Sequence, residues 1–194
     1  MVDTVRHRLV GFLSGTLTVM RMELSVALSL DGLWRVEVRP TPGKTVDTGA
    51  GDVEASELWL VQVKTKKAER LLRGRPDSDI KKSLAGFSSL CFALEGRSVS
   101  FVSAAWATSG SVQKLDLKTR RVQFLIDGND VTVIKRGASR GRLLVTRALI
   151  KYDKQGESLG RGEYVWIVSP EGKPLREVGE AESKAVTAFR KSAL

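Results

Sequence analysis

Histidine and cysteine are nearly absent from this chain of 194 residues, which contains one of each, His7 and Cys91. A single cysteine cannot form an internal disulfide, so packing alone must hold the core together. No Cys and His pair has the spacing of a zinc site, and a Ser-His-Asp triad would depend on a histidine near the N-terminus. Cys91 lies in the apolar run Leu90–Ala93, which favours a buried side chain over a nucleophile.

Long apolar runs and the short motifs of catalytic loops are absent as well. No stretch reaches the ~18 consecutive apolar residues that a membrane-spanning helix needs. Thr, Ser and Gly dilute the run from Leu9 to Met20, so we expect a β-strand there rather than a signal peptide. No phosphate-binding loop and no Gly-x-Ser-x-Gly elbow occurs, and Asp127–Asp130 lacks the further ligands of a calcium loop. The residues therefore predict no metal and no cofactor.

One segment does resemble a catalytic loop, because Asp47-Thr48-Gly49-Ala50 is similar to the active-site loop of aspartic proteases. In that chemistry two carboxylates share one proton, and each lies on a turn held by flanking strands. No second Asp-Thr-Gly follows here, and Pro40, Pro42 and Gly43 leave room for only two strand residues before Asp47. We interpret the segment as a Gly-rich turn, and an aspartic-type hydrolase using Asp47 is the enzymatic alternative.

The charge is strongly one-sided, with 32 Lys and Arg against 22 Asp and Glu and a net charge of +10 at pH 7. Such a surface attracts acidic proteins, anionic lipids and nucleic acids. Aromatic residues make up only 6% of the chain, so few rings are available for stacking on bases. This favours a solvated strand edge, where Lys prevents pairing with another strand, over a nucleic-acid site. An acidic protein stays open as a partner, and binding of nucleic acid or another polyanion to basic strand faces is the alternative. The two basic clusters are Lys64, Lys66, Lys67, Arg70, Arg73 and Arg75, and Lys135, Arg136, Arg140, Arg142 and Arg147.

Short runs of branched and aromatic residues, bounded by Gly, Asp, Asn or charged turns, dominate the rest of the chain. Such runs predict an all-β domain. The predicted strands cover residues 58–63, 98–102, 122–126, 131–134, 143–146 and 164–168. Segments rich in Pro, Gly, small or charged residues predict long loops at 39–56, 73–86, 104–111 and 152–162. Only residues 181–192 show helical periodicity, with Ala185, Val186, Ala188 and Phe189 on one face.

Two sequence elements recur along the chain. The first is an acidic residue followed by Gly between apolar strands, a hairpin signature that occurs at Asp31-Gly32, Glu95-Gly96 and Glu171-Gly172. The second is a Lys-Thr turn after an apolar strand, at Lys64–Lys67 and Lys118–Arg121. Their order predicts repeat units at about residues 25–75, 87–128 and 140–180, within a single domain that spans residues 1–194.

The repeat resembles the blades of TolB-type and WD-like β-propellers. Their pattern is Ser-Pro-Asp-Gly, an apolar strand, and then Asp-Leu-x-Thr-Gly, and residues 92–126 match it best. The resemblance covers about two-thirds of the chain. Lys66 and Arg120 stand where such blades usually have Gly, and Leu30 and Leu94 stand where they usually have Pro.

Three repeat units are fewer than the four blades of closed propellers. A degenerate fourth blade at residues 5–24, closure by a homodimer, or sheets that pack without closing would each account for the number. The expected fold is therefore all-β, with three to four antiparallel propeller-like blades that need not form a complete ring. One short C-terminal helix completes it.

The functional expectation is a non-catalytic protein-binding or scaffold module, since no acid, base, nucleophile and metal ligands converge in the sequence. The pattern is also similar to short propeller-repeat proteins of Gram-negative envelopes. This implies a periplasmic location, with the cytoplasm as the alternative. Trp106 lies in a predicted loop of small residues and is the candidate anchor for a partner, with Arg140 and Arg142 as its charged rim.

Overall fold

The computed structural model describes residues 25–48, 51–106 and 109–194, which form three antiparallel four-stranded sheets and one helix. Each sheet consists of four strands that are consecutive in sequence, and neighbours in the chain are neighbours in the sheet. Blade 1 contains β1 (Val26–Leu28), β2 (Trp34–Asp47), β3 (Asp52–Gln62) and β4 (Ala68–Arg73). Blade 2 contains β5 (Ser88–Phe92), β6 (Ser98–Trp106), β7 (Ser109–Asp116) and β8 (Val122–Asp127). Blade 3 contains β9 (Asp130–Val133), β10 (Leu143–Tyr152), β11 (Ser158–Val168) and β12 (Pro174–Glu180), and α1 (Lys184–Ala193) follows.

The expected fold of antiparallel propeller-like blades with one short C-terminal helix is confirmed. All six predicted strands overlap observed strands, β3, β6, β8, β9, β10 and β11, and only residues 63 and 134 lie just beyond the ends of β3 and β9. The helix begins after Ser183, whose Oγ accepts a hydrogen bond from the backbone N–H of Val186. The predictions that concern residues 5–24 and His7 lie outside the described residues.

Three of the predicted long loops are wrong, because hairpins extend into them. The ladder of β2 and β3 runs through 39–56, with Pro40 opposite Ser56 and then a register shift before Thr45. The bulge places Pro42 where no ladder hydrogen bond is needed, and Gly43 has a φ of +72°. In the other two segments only residues 107–108 and 153–157 separate the paired strands.

The acidic-Gly turns have the same geometry in blades 1 and 2. Gly32 and Gly96 have φ values of +70° and +69°, which favour glycine. The backbone N–H of Ser29 donates to the carbonyl of Trp34 at 2.9 Å, and the N–H of Ala93 donates to the carbonyl of Ser98 at 2.9 Å. The sequence repeat is therefore also a repeat of backbone conformation.

Lys66 and Arg120 occupy the glycine position of the second turn and are strained there. Both have a φ of +60°, in the left-handed region that is unfavourable for side chains with a Cβ atom. Lys66→Gly is therefore expected to raise the free energy of unfolding by about 0.5–1 kcal/mol, measured by urea denaturation. Lys64→Gly in the same turn is the control and should lower it, since φ of Lys64 lies outside that region. Equal effects of the two substitutions would contradict the assignment of strain.

Apolar side chains from facing sheets form the core between the blades. Between blades 1 and 2, Val38 and Leu58 pack with Phe87 and Phe101. The two phenylalanine rings meet edge to face, with their centroids 5.4 Å apart. Between blades 2 and 3 a second cluster includes Val112 and Val145, both fully buried. The inner strands β1, β5 and β9 lie side by side, so the blades form an arc with blade 2 in the middle.

Helix α1 covers the far face of blade 3, where a following blade would pack in a longer propeller. Val186 and Phe189 of the helix contact a cluster that includes Leu144, Val165 and Ile167 of the sheet. Ala185 and Ala188, which the sequence placed on the same helix face, are exposed instead. The helix thus covers the apolar far face of blade 3.

The far face of blade 1 differs from that of blade 3, because it carries charged side chains. Arg35 and Glu37 stand three and five residues after Gly32, where blade 2 has Val99 and Phe101 after Gly96. The Glu37 carboxylate pairs with the guanidinium of Arg35 and with that of Arg39, each at 2.8 Å. Polar outer faces of this kind are typical of the terminal repeats of repeat proteins.

Glu57 connects several side chains on the outer part of the same face through hydrogen bonds. Its carboxylate accepts hydrogen bonds from Arg70 and Arg73 at 3.0 Å each and from the indole N–H of Trp59 at 3.0 Å. Burial raises the pKa of Glu57, but the hydrogen bonds from Arg73 and Trp59 and the charge of Arg70 outweigh it, so the pKa lies below its ordinary value. Glu57 is therefore ionised at neutral pH.

Candidate binding surface

The connections between strands lie at two opposite ends of the blades. The last residues of β1, β5 and β9 line one pocket, so these inner strands run in the same direction. Because neighbouring strands are antiparallel, the turns after β1, β3, β5, β7, β9 and β11 meet at one end. We call these residues, 29–33, 63–67, 93–97, 117–121, 134–142 and 169–173, the turn face. Hydrogen bonds join adjacent turns, as between the N–H of Val63 and the carbonyl of Leu33 at 2.9 Å.

The turn face carries almost all of the excess positive charge. Its segments contain twelve Lys and Arg and three Asp and Glu, a net charge of +9 against +10 for the whole chain. The connections at the opposite end contain four basic and four acidic residues. The basic residues of the turn face are Lys64, Lys66, Lys67, Arg97, Lys118, Arg120, Arg121, Lys135, Arg136, Arg140, Arg142 and Lys173, and the acidic residues are Asp31, Glu95 and Glu171.

A pocket of about 380 Å³ lies where the inner strands reach the turn face. We call it the axial pocket. Leu28, Leu30, Leu90 and Leu94 supply apolar parts of its wall, and Lys135 borders it. In the sequence Leu30 and Leu94 stand out only as departures from proline, and that pattern does not predict their place in a pocket. Both follow an inner strand at the same distance from an acidic-Gly turn, and this spacing was a signal that they would meet.

Cys91 lies in the wall of the axial pocket and is buried. Burial and the nearby charge of Asp130 raise the pKa of the Cys91 thiol to about 12. A thiol with this pKa is protonated at neutral pH and is a poor nucleophile. The structure therefore agrees with the prediction of a buried apolar cysteine.

Known structures share this arrangement of sheets. The β-propeller domain of the Trilobed protease from Pyrococcus furiosus matches 79% of this chain over 41% of its own, with a TM-score of 0.50 and 11% identity. A nidogen/laminin complex matches 82% of this chain over 48% of its own, with a TM-score of 0.50 and 10% identity. The chain has the fold of a β-propeller. It spans less than half of the length of either structure.

The similarity between this propeller and the solved structures shows the fold alone, because the identities are so low. TolB from Acinetobacter baumannii also matches, with 12% identity over 81% of this chain and 44% of its own, but its TM-score is only 0.35. No protein-family profile and no curated protein sequence matches the chain. The function of this propeller must therefore be inferred from its own surface.

Arg140 and Arg142 lie on the turn-face loop that follows β9 and flank Gly141, which lies near Leu94 of the axial pocket. Their loop closes through two hydrogen bonds, from the N–H of Gly141 to the carbonyl of Ile134 at 2.8 Å and from the N–H of Ile134 to the carbonyl of Arg142 at 2.9 Å. A Cβ atom at Gly141 would lie 4.0 Å from Cδ1 of Leu94, so the backbone between the two arginines runs against the wall of the pocket. Both arginine side chains are exposed.

Trp106 lies at the opposite end of the propeller, because the connection after β6 points away from the turn face. It lines a separate cleft of about 670 Å³ beside Phe124 and Arg147, whose guanidinium pairs with the carboxylate of Asp127 at 2.7 Å. The structure therefore does not bring Trp106 together with Arg140 and Arg142, and the predicted single site is corrected. Three antiparallel strands, β7, β8 and β9, separate the two connections, and this odd number places them at opposite ends.

Asp47 lies at the exposed end of β2, where its ladder partner is Asp52. The backbone N–H and the hydroxyl of Thr48 both donate to the carbonyl of Gly51, at 3.2 and 2.8 Å. These bonds are those of a hairpin turn. In residues 25–48, 51–106 and 109–194 no three His, Cys, Asp and Glu side chains form a group that could hold a metal ion. The same residues contain no helix long and apolar enough to cross a membrane.

Proposed function

We propose that this propeller is a non-catalytic binding module that recognises an acidic protein through its turn face. The observation that carries the proposal is the segregation of charge, with +9 on the turn face and none in excess at the opposite end. Charge that served only solubility would be expected over the whole surface rather than at one end. A basic patch of this size steers an acidic partner and fixes its orientation.

The turn face favours a protein over a nucleic acid as its partner. Proteins that bind single strands stack the bases on exposed aromatic rings. Trp34 and Tyr152 are the substantially exposed aromatic side chains of the described residues, and only Trp34 adjoins the turn face. The apolar wall of the axial pocket would instead accept a protein side chain. We place the module in the periplasm of the bacterial envelope, which the resemblance to TolB-type blades supports.

A charge-reversal experiment tests the proposal. The variant carries Arg140→Glu and Arg142→Glu, and the control carries Lys44→Glu and Lys154→Glu, two exposed residues at the opposite end. Both variants change the net charge equally. Fluorescence anisotropy with a labelled Glu-rich peptide should show about tenfold weaker binding for the first variant at ~20 mM salt and nearly unchanged binding for the control.

Two further measurements, the salt dependence of peptide binding and the affinity for duplex DNA, complete the experiment. Binding of the peptide to the unaltered protein should weaken steeply as the salt rises to ~300 mM, because exposed charges are screened over about 6–10 Å at such concentrations. Equal losses in the two variants would show that the turn face is not the binding surface. Tighter binding of duplex DNA than of the acidic peptide would favour the polyanion alternative.

A further inference from the structure

The exposed apolar side chains of the described residues are concentrated rather than scattered. Nine large apolar residues are substantially exposed, and five of them fall within residues 26–34. These five are Val26, Leu28, Leu30, Leu33 and Trp34. Single exposed apolar residues are ordinary on protein surfaces, whereas exposed apolar residues that are concentrated in one segment indicate a candidate binding surface.

Two members of this group open directly into the axial pocket. Leu28 and Leu30 are 51% and 65% exposed, although both belong to the pocket wall. Leu90 and Leu94 of blade 2 supply the apolar surface beside them. The pocket, at about 380 Å³, has the size of sites that enclose a small apolar group.

Cationic groups lie beside this apolar wall. Lys135 lines the pocket itself, and Arg140 and Arg142 flank Gly141, at which a Cβ atom would lie 4.0 Å from Cδ1 of Leu94. A purely acidic segment would pair with the basic side chains but would leave the leucine side chains in water. A purely apolar segment would fill the pocket and leave the basic charges without partners. A second copy of this chain would present the same basic face, and like charges would oppose its docking.

We propose that the axial pocket binds an aliphatic side chain of an acidic segment, so that the recognised motif is a leucine-sized residue flanked by Asp and Glu. The inference rests on the proposed function and specifies what the acidic partner presents. The carboxylates contact the basic rim and provide orientation, and the aliphatic side chain provides the anchor by leaving water.

Two synthetic peptides of equal charge test the anchor. One carries a central Leu between three acidic residues on each side, and the other carries Ser at that position. Burial of a leucine side chain predicts that the Leu peptide binds about tenfold more tightly than the Ser peptide in anisotropy measurements. The difference should persist at higher salt, because screening acts on the charges and leaves apolar burial unchanged.

Paired substitutions locate the anchor on the protein. Leu28→Ser with Leu30→Ser should remove most of the preference for the Leu peptide, and should leave the affinity for the Ser peptide nearly unchanged. The matched control is Ile150→Ser with Leu159→Ser, which removes two apolar side chains of similar exposure, 54% and 68%, at the opposite end. Because all four side chains are largely exposed, both double variants should fold, which their circular-dichroism spectra verify.

The outcomes separate this inference from the proposed function. Equal binding of the Leu and Ser peptides to the unaltered protein would overturn the anchor and leave the acidic-partner proposal intact. A Leu preference that survives in the Leu28 and Leu30 variant would also overturn the assignment to the axial pocket. If neither peptide binds at low salt, the proposed function fails and the inference fails with it.

Discussion

Phe101→Ala is expected to lower the free energy of unfolding by about 3–5 kcal/mol, the range for removing a buried phenylalanine side chain. Phe101 has no exposed surface and packs between blades 1 and 2 against the edge of the Phe87 ring. Its removal leaves a cavity in the contact that holds the two blades together, and rigid sheets on both sides limit its collapse. Urea denaturation followed by tryptophan fluorescence measures the loss.

Phe124→Ala in the same blade is the matched control. Phe124 is only partly buried, at the rim of the cleft beside Trp106, and the ammonium of Lys81 lies 5.4 Å from the centre of its ring. The substitution should cost about 1–2 kcal/mol, since less apolar surface leaves contact with the protein. Similar losses for the two substitutions would mean that the interface between blades 1 and 2 does not dominate stability.

Val186→Asp is expected to detach α1 from blade 3 and to cost about 3 kcal/mol or more, because a carboxylate would enter an apolar contact without a partner. Val186 is fully buried against the cluster that contains Leu144, Val165 and Ile167. Detachment would expose this sheet face, and exposed apolar sheet surface promotes association. Sedimentation velocity should therefore show stronger concentration-dependent association than for the unaltered protein.

Thr187→Asp is the control, because Thr187 is the exposed neighbour of Val186 on the same helix. It adds the same charge, and we expect stability within about 0.5 kcal/mol of the unaltered protein. If Val186→Asp also leaves both stability and sedimentation unchanged, α1 does not protect the apolar face of blade 3 from solvent.

The parts of the fold that follow from local signals could be predicted from the sequence. Gly32 and Gly96 follow an acidic residue between apolar runs, and this pattern specifies a tight turn through the backbone conformation of one residue. The same reasoning placed Lys66 and Arg120 at a glycine position, where the structure shows positive φ angles. The C-terminal helix was predictable from its period, but which of its small residues were buried was not.

The parts that depend on distant pairing could not be predicted in this way. Pro40 and Pro42 predict the end of a strand. The strand nevertheless continues, because a bulge and the partner strand β3 provide for the backbone hydrogen bonds beyond them. The predicted grouping of Trp106 with Arg140 and Arg142 differs from the structure for a related reason. The local sequence around Trp106 and Arg140 does not reveal the end of the blades at which each residue lies, because that depends on the number of strands between them.

The arc of three inner strands has a consequence for the way a partner could approach. In a closed propeller the inner strands surround a channel, so a chain reaches the centre only by threading a free end or a loop through one opening. Here the axial pocket is lined by β1, β5 and β9 along an arc, and Leu28 and Leu30 at its margin face solvent. Among residues 25–48, 51–106 and 109–194 no further strand closes the other side of this pocket, so within this part of the chain the middle of a long polypeptide can lie across it without threading a free terminus.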